Sequence, residues 1–170
     1  MELWEQRNAL NVEIANLLSE DAQMVVQDYP LVDHDGNTVK LSDCFRGHDQ
    51  LVLVHNMGKH CNYCTLWAEE LKGVWRHIES GEYGNKAAVV LLNNDTSQEQ
   101  KAFAAEHGWD FPMYSCKGTT LFTDFGFQTD KDGEVYYHPG VSSLLKKPGG
   151  SIHRHSKDSF GPGDMYCSVF

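Results

Sequence analysis

The chain has 170 residues with 41% apolar side chains, which suits one domain with its own core. Lys and Arg number 14 against 24 Asp and Glu, a formal charge of −10 with no basic, aromatic-interleaved stripe, so nucleic acid and anionic membrane are excluded as default partners. No apolar run approaches the roughly 20 residues of a membrane span, the first residues lack a signal-peptide layout, and the odd count of five cysteines does not suit a secreted disulfide framework, so a soluble cytoplasmic protein is expected.

Around residues 4–18, Leu3, Leu10, Ile14 and Leu17 recur at helical spacing with Glu, Arg and Asn between them. The spacing predicts an amphipathic helix packed on the domain. Residues 1–28 read as a helical extension, and residues 29–170 as the domain proper, within one compact unit. The stretch from Tyr29 to Leu41 holds two short apolar runs around Asp35-Gly36, a hairpin signal. Asp33, Asp35 and Asn37 have the spacing of a calcium loop, but the closing Glu is missing, so they read as turn residues.

The chain is organised around residues 50–78. Leu51-Val52-Leu53-Val54-His55 is an apolar strand, and Met57-Gly58-Lys59-His60 a tight connection. Cys61-Asn62-Tyr63-Cys64 then opens an amphipathic helix carrying Trp67, Leu71, Val74, Trp75 and Ile78. Two thiols at this spacing in a first helical turn can close a small disulfide ring. The first sits at the positive end of the helix, a setting that favours thiolate and commonly brings a cysteine pKa from about 8.5 to roughly neutral. That is the chemistry of thiol–disulfide exchange, in which one thiolate attacks and its neighbour resolves the mixed disulfide.

Downstream, Ala87-Ala88-Val89-Val90-Leu91-Leu92 reads as a strand covered on both faces. A helix follows, capped by Thr96 or Ser97 and ended by Gly108. Strand, helix, strand, helix implies a right-handed crossover and a parallel pair. Phe111–Cys116 is a further extended piece, and 119–127 helical or irregular. His138–Leu145 is a strand that Pro148-Gly149-Gly150 turns into an antiparallel partner at 151–155. His153 and His155 alternate there and are expected on a solvated edge. Met165–Phe170 is an apolar finish expected to pack. Cys44, Cys116 and Cys167 stand alone and read as small buried residues.

A parallel pair, a Cys-x-x-Cys at a strand-to-helix junction and a late Pro-led hairpin resemble the thioredoxin fold over residues 29–157. The hairpin at 31–41 and Phe111-Pro112-Met113-Tyr114-Ser115 resemble its peroxiredoxin branch. Closer still is the bacterial thioredoxin-like domain-of-unknown-function family 899. The matching motifs are Cys61-x-x-Cys64 with Trp67-Ala68, Gly108-Trp109-x-Phe111-Pro112, Thr123-Asp124-Phe125, Gly140-Val141-Ser142 and Phe160-Gly161-Pro162-Gly163-Asp164. Members of that group are expected to run on past this point, so the sequence reads as a shortened form.

The resemblance implies an α/β thioredoxin-like fold: a central mixed sheet of parallel and antiparallel strands flanked by helices, preceded by an N-terminal helix and hairpin. It makes Cys61 the nucleophile and Cys64 the resolving thiol. It puts Pro139 at the cis-proline position, where a cis bond aims the backbone of His138 at Cys61 and a substrate chain can pair. Asn62-Tyr63 replaces the Gly-Pro of thioredoxin, and His55 replaces the buried acid six residues before the first cysteine. An imidazole with a pKa near 6.5 can handle the proton there, or His55 is simply a core histidine. His60, beside Cys61, is a second candidate for the proton, and Lys59 a source of positive potential. Peroxiredoxins keep a Thr three residues before their reactive Cys, where this chain has Gly58, and no Arg leads the late hairpin.

The reading is therefore a thiol–disulfide oxidoreductase that needs no cofactor and acts on a disulfide-containing protein or a small-molecule thiol, with a homodimer left open. Two alternatives stand beside it. One is a soft-metal module binding copper or zinc through Cys61, Cys64, His60 and His138. The other is a peroxiredoxin-like peroxidase.

Overall fold

The computed structural model describes residues 2–20, 24–82, 84 and 86–161. Met165–Phe170, expected to pack, and Cys167 lie outside them. In chain order the elements are α1 (Glu2–Glu20), β1 (Val25–Val26), β2 (Pro30–Val32), β3 (Thr38–Lys40) and a 3₁₀ turn at Leu41–Phe45. Next come β4 (Gln50–His55), α2 (Asn62–Ser80), β5 (Ala88–Asn93), α3 (Ser97–His107), β6 (Met113–Ser115) and α4 (Leu121–Asp124). The last four are β7 (Gln128–Lys131), β8 (Glu134–Tyr137), β9 (Gly140–Lys146) and β10 (Ile152–Ser159). The fold is α/β and thioredoxin-like, as the sequence predicts.

The main sheet has eight strands in the order β1-β10-β9-β4-β5-β6-β2-β3. Its centre is parallel: Leu53 pairs with Val90 between β4 and β5, and Leu92 with Tyr114 between β5 and β6. Both crossovers are helical, through α2 and α3, because parallel neighbours cannot be joined by a tight turn. The flanks are antiparallel. The predicted hairpins form as β2–β3, with Leu31 opposite Val39, and as β9–β10, with Ile152 opposite Lys146.

Every residue of β5 is buried, as its unbroken apolar run requires. Strand alternation divides its side chains between two layers. Val89 and Leu91 join Val54, Ala68, Trp75, Ala104 and Trp109 under α2 and α3. Ala88, Val90 and Leu92 join Leu51, Leu53, Phe45, Leu121, Phe125 and Leu144 on the other side. Fully burying one such Leu or Phe contributes roughly 1.5–3 kcal/mol, so these two layers hold the sheet in place. Gly81 and Gly108 close α2 and α3 in the left-handed conformation that favours glycine.

Two expectations need correction, and one element is new. Helix α1 exists, but its apolar stripe is not buried: Leu10 is 57% exposed and Leu17 60%. Helical periodicity decides which side chains share a face, not what that face meets. Next, β10 is not a solvated edge, since Val25 of β1 pairs with His153, and a bulge between Arg154 and Ser156 breaks the alternation expected of His153 and His155. Finally, β7 and β8 form a separate two-stranded arm that the sequence reading passed over. Its turn is Asp132-Gly133, both at positive φ, a two-residue hairpin signal. No helix among the described residues is long and apolar enough to cross a membrane.

Candidate active site

Parallel strands β4 and β5 end side by side, and the loops leaving them meet. Strand carboxyl ends are where open α/β sheets gather ligands. The loop after β4 is fixed first by Asn56, which is buried. Its N–H continues the ladder to the Leu92 carbonyl at 2.9 Å. Its side-chain oxygen accepts from Gly58 N–H at 2.7 Å, and its amide donates to the Cys64 carbonyl at 3.3 Å. One side chain thus ties the strand end, the loop and the first turn of α2 together.

From the loop after β5, Asp95 completes the clamp. Its carboxylate accepts from Lys59 N–H at 2.8 Å and from Asn93 Nδ2 at 3.2 Å. Gly58, at φ +98°, passes so close that an added Cβ would lie 2.8 Å from Asp95 Oδ1. Glycine is required here twice, for the dihedral and for the space.

The cysteines sit on this support. Cys61 is the N-cap of α2, in extended conformation, and its Sγ accepts from Cys64 N–H at 3.2 Å. A sulfur thereby fills the place usually taken by a Ser or Asp oxygen. Cys61 is half-buried, Cys64 is buried, and both are free thiols. Cys64 Sγ accepts from Met57 N–H at 3.4 Å and packs with Trp67. Burial raises the Cys64 pKa well above the ordinary thiol range, and its hydrogen bond to Cys61 raises it further. The buried sulfur keeps its proton while the outer one is offered to solvent.

Cys61 opens onto a cleft of about 470 Å³ lined by Met57, His60, Asn62, Tyr63 and, from β8, Val135, Tyr136 and Tyr137. Exposed His60 is therefore brought to the same cleft as Cys61. The other predicted residues are placed differently. His55 follows Leu51 and Leu53 on the sheet face opposite α2, stacked on Phe127 at 4.1 Å, with Nε2 3.0 Å from Ser142 Oγ. Burial, helped by the charges of Arg154 and Lys157, pushes its pKa down to about 3. The core alternative describes His55, and the base alternative loses its geometry.

The Lys59 ammonium donates to Glu99 Oε1 at 2.7 Å, so its charge is committed to the first turn of α3 rather than to Cys61. The His138–Pro139 bond is trans, since no described peptide bond is cis, which corrects the expected cis turn. His138 N–H donates to the Phe127 carbonyl at 2.8 Å, and its Nε2 lies 2.9 Å from Thr129 Oγ1. The arm therefore presents residues 135–137, not His138, to the cleft. Among the described residues no three His, Cys, Asp or Glu side chains gather as a metal site, so the set Cys61, Cys64, His60 and His138 is not assembled.

Asn56, Asp95 and the arm escaped the sequence reading. An Asn directly after a strand and an Asp two residues after its parallel neighbour were the available signals, legible once the two strand ends are set side by side.

The sequence profile of the family described as "Bacterial protein of unknown function (DUF899)" matches residues 4–166. No curated protein is matched. Among solved structures, the chain is similar to the peroxidoxin BcpB of Mycobacterium tuberculosis at 19% identity and a TM-score of 0.63, covering 81% of this chain and 84% of that one. A PrxQ mutant from Xylella fastidiosa has 17% identity and a TM-score of 0.63, covering 79% and 85%. The bacterioferritin comigratory protein of Xanthomonas campestris, described by its alkyl peroxide reduction activity, has 19% identity and a TM-score of 0.59, covering 78% and 80%. At these identities the likeness establishes the fold.

Proposed function

We propose that this chain, which belongs to the family of bacterial proteins of unknown function DUF899, is a thiol–disulfide oxidoreductase with Cys61 attacking and Cys64 resolving. The observation that carries this reading is the difference between the two sulfurs. Cys61 caps a helix, receives a backbone N–H and faces an open cleft, while Cys64 lies buried and protonated one turn on.

In the first step the Cys61 sulfur bonds to one sulfur of a substrate disulfide, and the other leaves as a thiolate. Once Cys61 is in the mixed disulfide it no longer accepts the Cys64 proton. Cys64 gives that proton up and displaces the substrate from Cys61, and the Met57 N–H supports the charge that forms on its sulfur. Two electrons pass to the substrate, and the protein is left with a Cys61–Cys64 disulfide. His60 is the side chain in the cleft placed to carry protons between the sulfurs and water.

Reduction of insulin disulfides by a dithiol-supplied chain, compared with Cys61→Ser, tests the reading. Activity is expected to vanish in the variant, and equal turnover in both refutes it. A peroxidase is the second reading, supported by the activity in the description of the Xanthomonas protein. Faster consumption of an alkyl hydroperoxide than of a disulfide favours it.

A further inference from the structure

We infer that the substrate is an extended polypeptide segment, apolar or aromatic beside its disulfide, which adds as a strand to the free edge of β8 and lies across Cys61. The inference rests on the thiol chemistry proposed above and names the substrate of that same site.

Register supplies the first observation. In the arm, Lys131 pairs with Glu134, Thr129 with Tyr136, and His138 N–H donates to the Phe127 carbonyl. Bonded and non-bonded pairs alternate in an antiparallel ladder. The backbone groups of Glu134, Tyr136 and His138 therefore turn toward β7, and those of Val135 and Tyr137 turn away from it. The arm has only two strands, so the outer edge of β8 is a row of N–H and C=O groups with no strand beside it among the described residues. Val135, Tyr136 and Tyr137 all line the Cys61 cleft. Side chains alternate across a strand, so three consecutive lining residues mean that the strand edge itself faces the thiol. A polypeptide backbone is the ligand whose donors and acceptors match such an edge.

The second observation is the chemistry of the walls. Met57, Tyr63, Val135, Tyr136 and Tyr137 are apolar or aromatic, and Val135 is 52% exposed and Tyr136 46%. Among the described residues no Lys or Arg lines the cleft, and the Lys59 ammonium beside it is held by Glu99. The chain as a whole carries −10. A small anionic disulfide such as glutathione disulfide finds no Lys or Arg here, only the imidazole of His60, whereas apolar side chains flanking a peptide disulfide find rings to pack on.

The test uses three mixed disulfides of thionitrobenzoate, whose release is read by absorbance. One is on a ten-residue peptide with Leu and Phe flanking its cysteine, one on the same peptide N-methylated at alternate backbone positions, and one on glutathione. The expected kcat/KM for the plain peptide exceeds those for the other two by about tenfold or more, the scale of losing one or two backbone hydrogen bonds. Val135→Pro removes the outward N–H of β8 without touching the ladder to β7, and is expected to lower the ratio of peptide to glutathione rates about tenfold. The N-methylated peptide gives the same information with no variant to fold. Equal rates for plain and N-methylated peptides, or a preference for the glutathione disulfide, overturn the inference. Failure of all three probes to react at Cys61 overturns the thiol reading instead.

Discussion

Gly58→Ala is the sharpest test of how the cysteine loop is built. At φ +98° an alanine is strained by roughly 1–2 kcal/mol relative to glycine. Its methyl group would also stand 2.8 and 2.9 Å from the two Asp95 oxygens. That carboxylate cannot swing away freely, because Lys59 N–H and Asn93 Nδ2 hold it, and weakening such a charge-assisted bond costs about 1.5–3 kcal/mol. Together the two effects destabilise the chain by about 2.5–5 kcal/mol. At a urea m-value of about 2 kcal/mol/M, the unfolding midpoint falls by about 1–2.5 M with m unchanged. Gly73→Ala is the control: Gly73 lies inside α2 with nothing within 4 Å, and alanine there is expected to stabilise by about 0.5–1 kcal/mol. Adding Asp95→Ala to Gly58→Ala removes the crowding and leaves the dihedral strain, so the two losses should be less than additive. A Gly58→Ala midpoint within 0.2 M of the parent, or an effect of the same sign as that of Gly73→Ala, refutes the clamp.

Three further outcomes follow from the same geometry. Cys64→Ser is expected to stop exchange after the first step and accumulate a covalent Cys61–substrate adduct, visible by intact mass and released by dithiothreitol; rapid turnover without an adduct refutes the assignment of Cys64. His55 is neutral in the folded protein down to about pH 3, whereas in the unfolded chain it takes a proton near pH 6.5. It therefore removes stability as pH falls between those values, by at most about 1.4 kcal/mol per pH unit. His55→Gln should flatten the urea midpoint against pH across that window, and an unchanged slope contradicts its burial. Glu99 has its pKa lowered to about 2, mainly by its bond from Lys59. Its contribution is present above the unfolded value near 4.5 and is lost as pH falls through 2, so Glu99→Gln should differ from the parent at pH 7 and converge with it in acid.

The sequence spoke clearly where one local rule decides the structure. Ala88–Leu92 admits no polar residue and is buried throughout. Cys61 stands where a helix must begin, and Gly108 where one must end. Pro148-Gly149-Gly150 turns β9 into β10. The reading failed where two distant segments decide together. Lys59 looked like a cation for Cys61 until α3 supplied Glu99 from 40 residues away. His55 has the right spacing for a base, but the pleat turns it to the face away from α2. Asp95 gains its meaning only from Gly58 passing beside it. The Asp132-Gly133 turn was local and legible, and it was missed because the flanking strands are mostly exposed and lack an apolar face.

With Lys59 bound to Glu99 and no Lys or Arg lining the cleft among the described residues, the reading proposed above leaves the backbone N–H groups at the head of α2, with His60 beside them, to favour an anion on Cys61. Fixed dipoles in contact with a sulfur act over about 3 Å, while a solvated cation acts through a medium that salt screens. Between 0.01 M and 1 M salt the screening length falls from about 30 Å to 3 Å. The alkylation rate of Cys61 by neutral iodoacetamide at pH 7 should therefore change by less than about twofold over that range, and Lys59→Ala should alter it as little. An Asn62→Pro variant keeps the helix start but removes an N–H from its first turn, and should slow the reaction more than either. A steep fall of rate with salt, matched by a similar fall in Lys59→Ala, would return the anion's support to Lys59 and remove it from the helix.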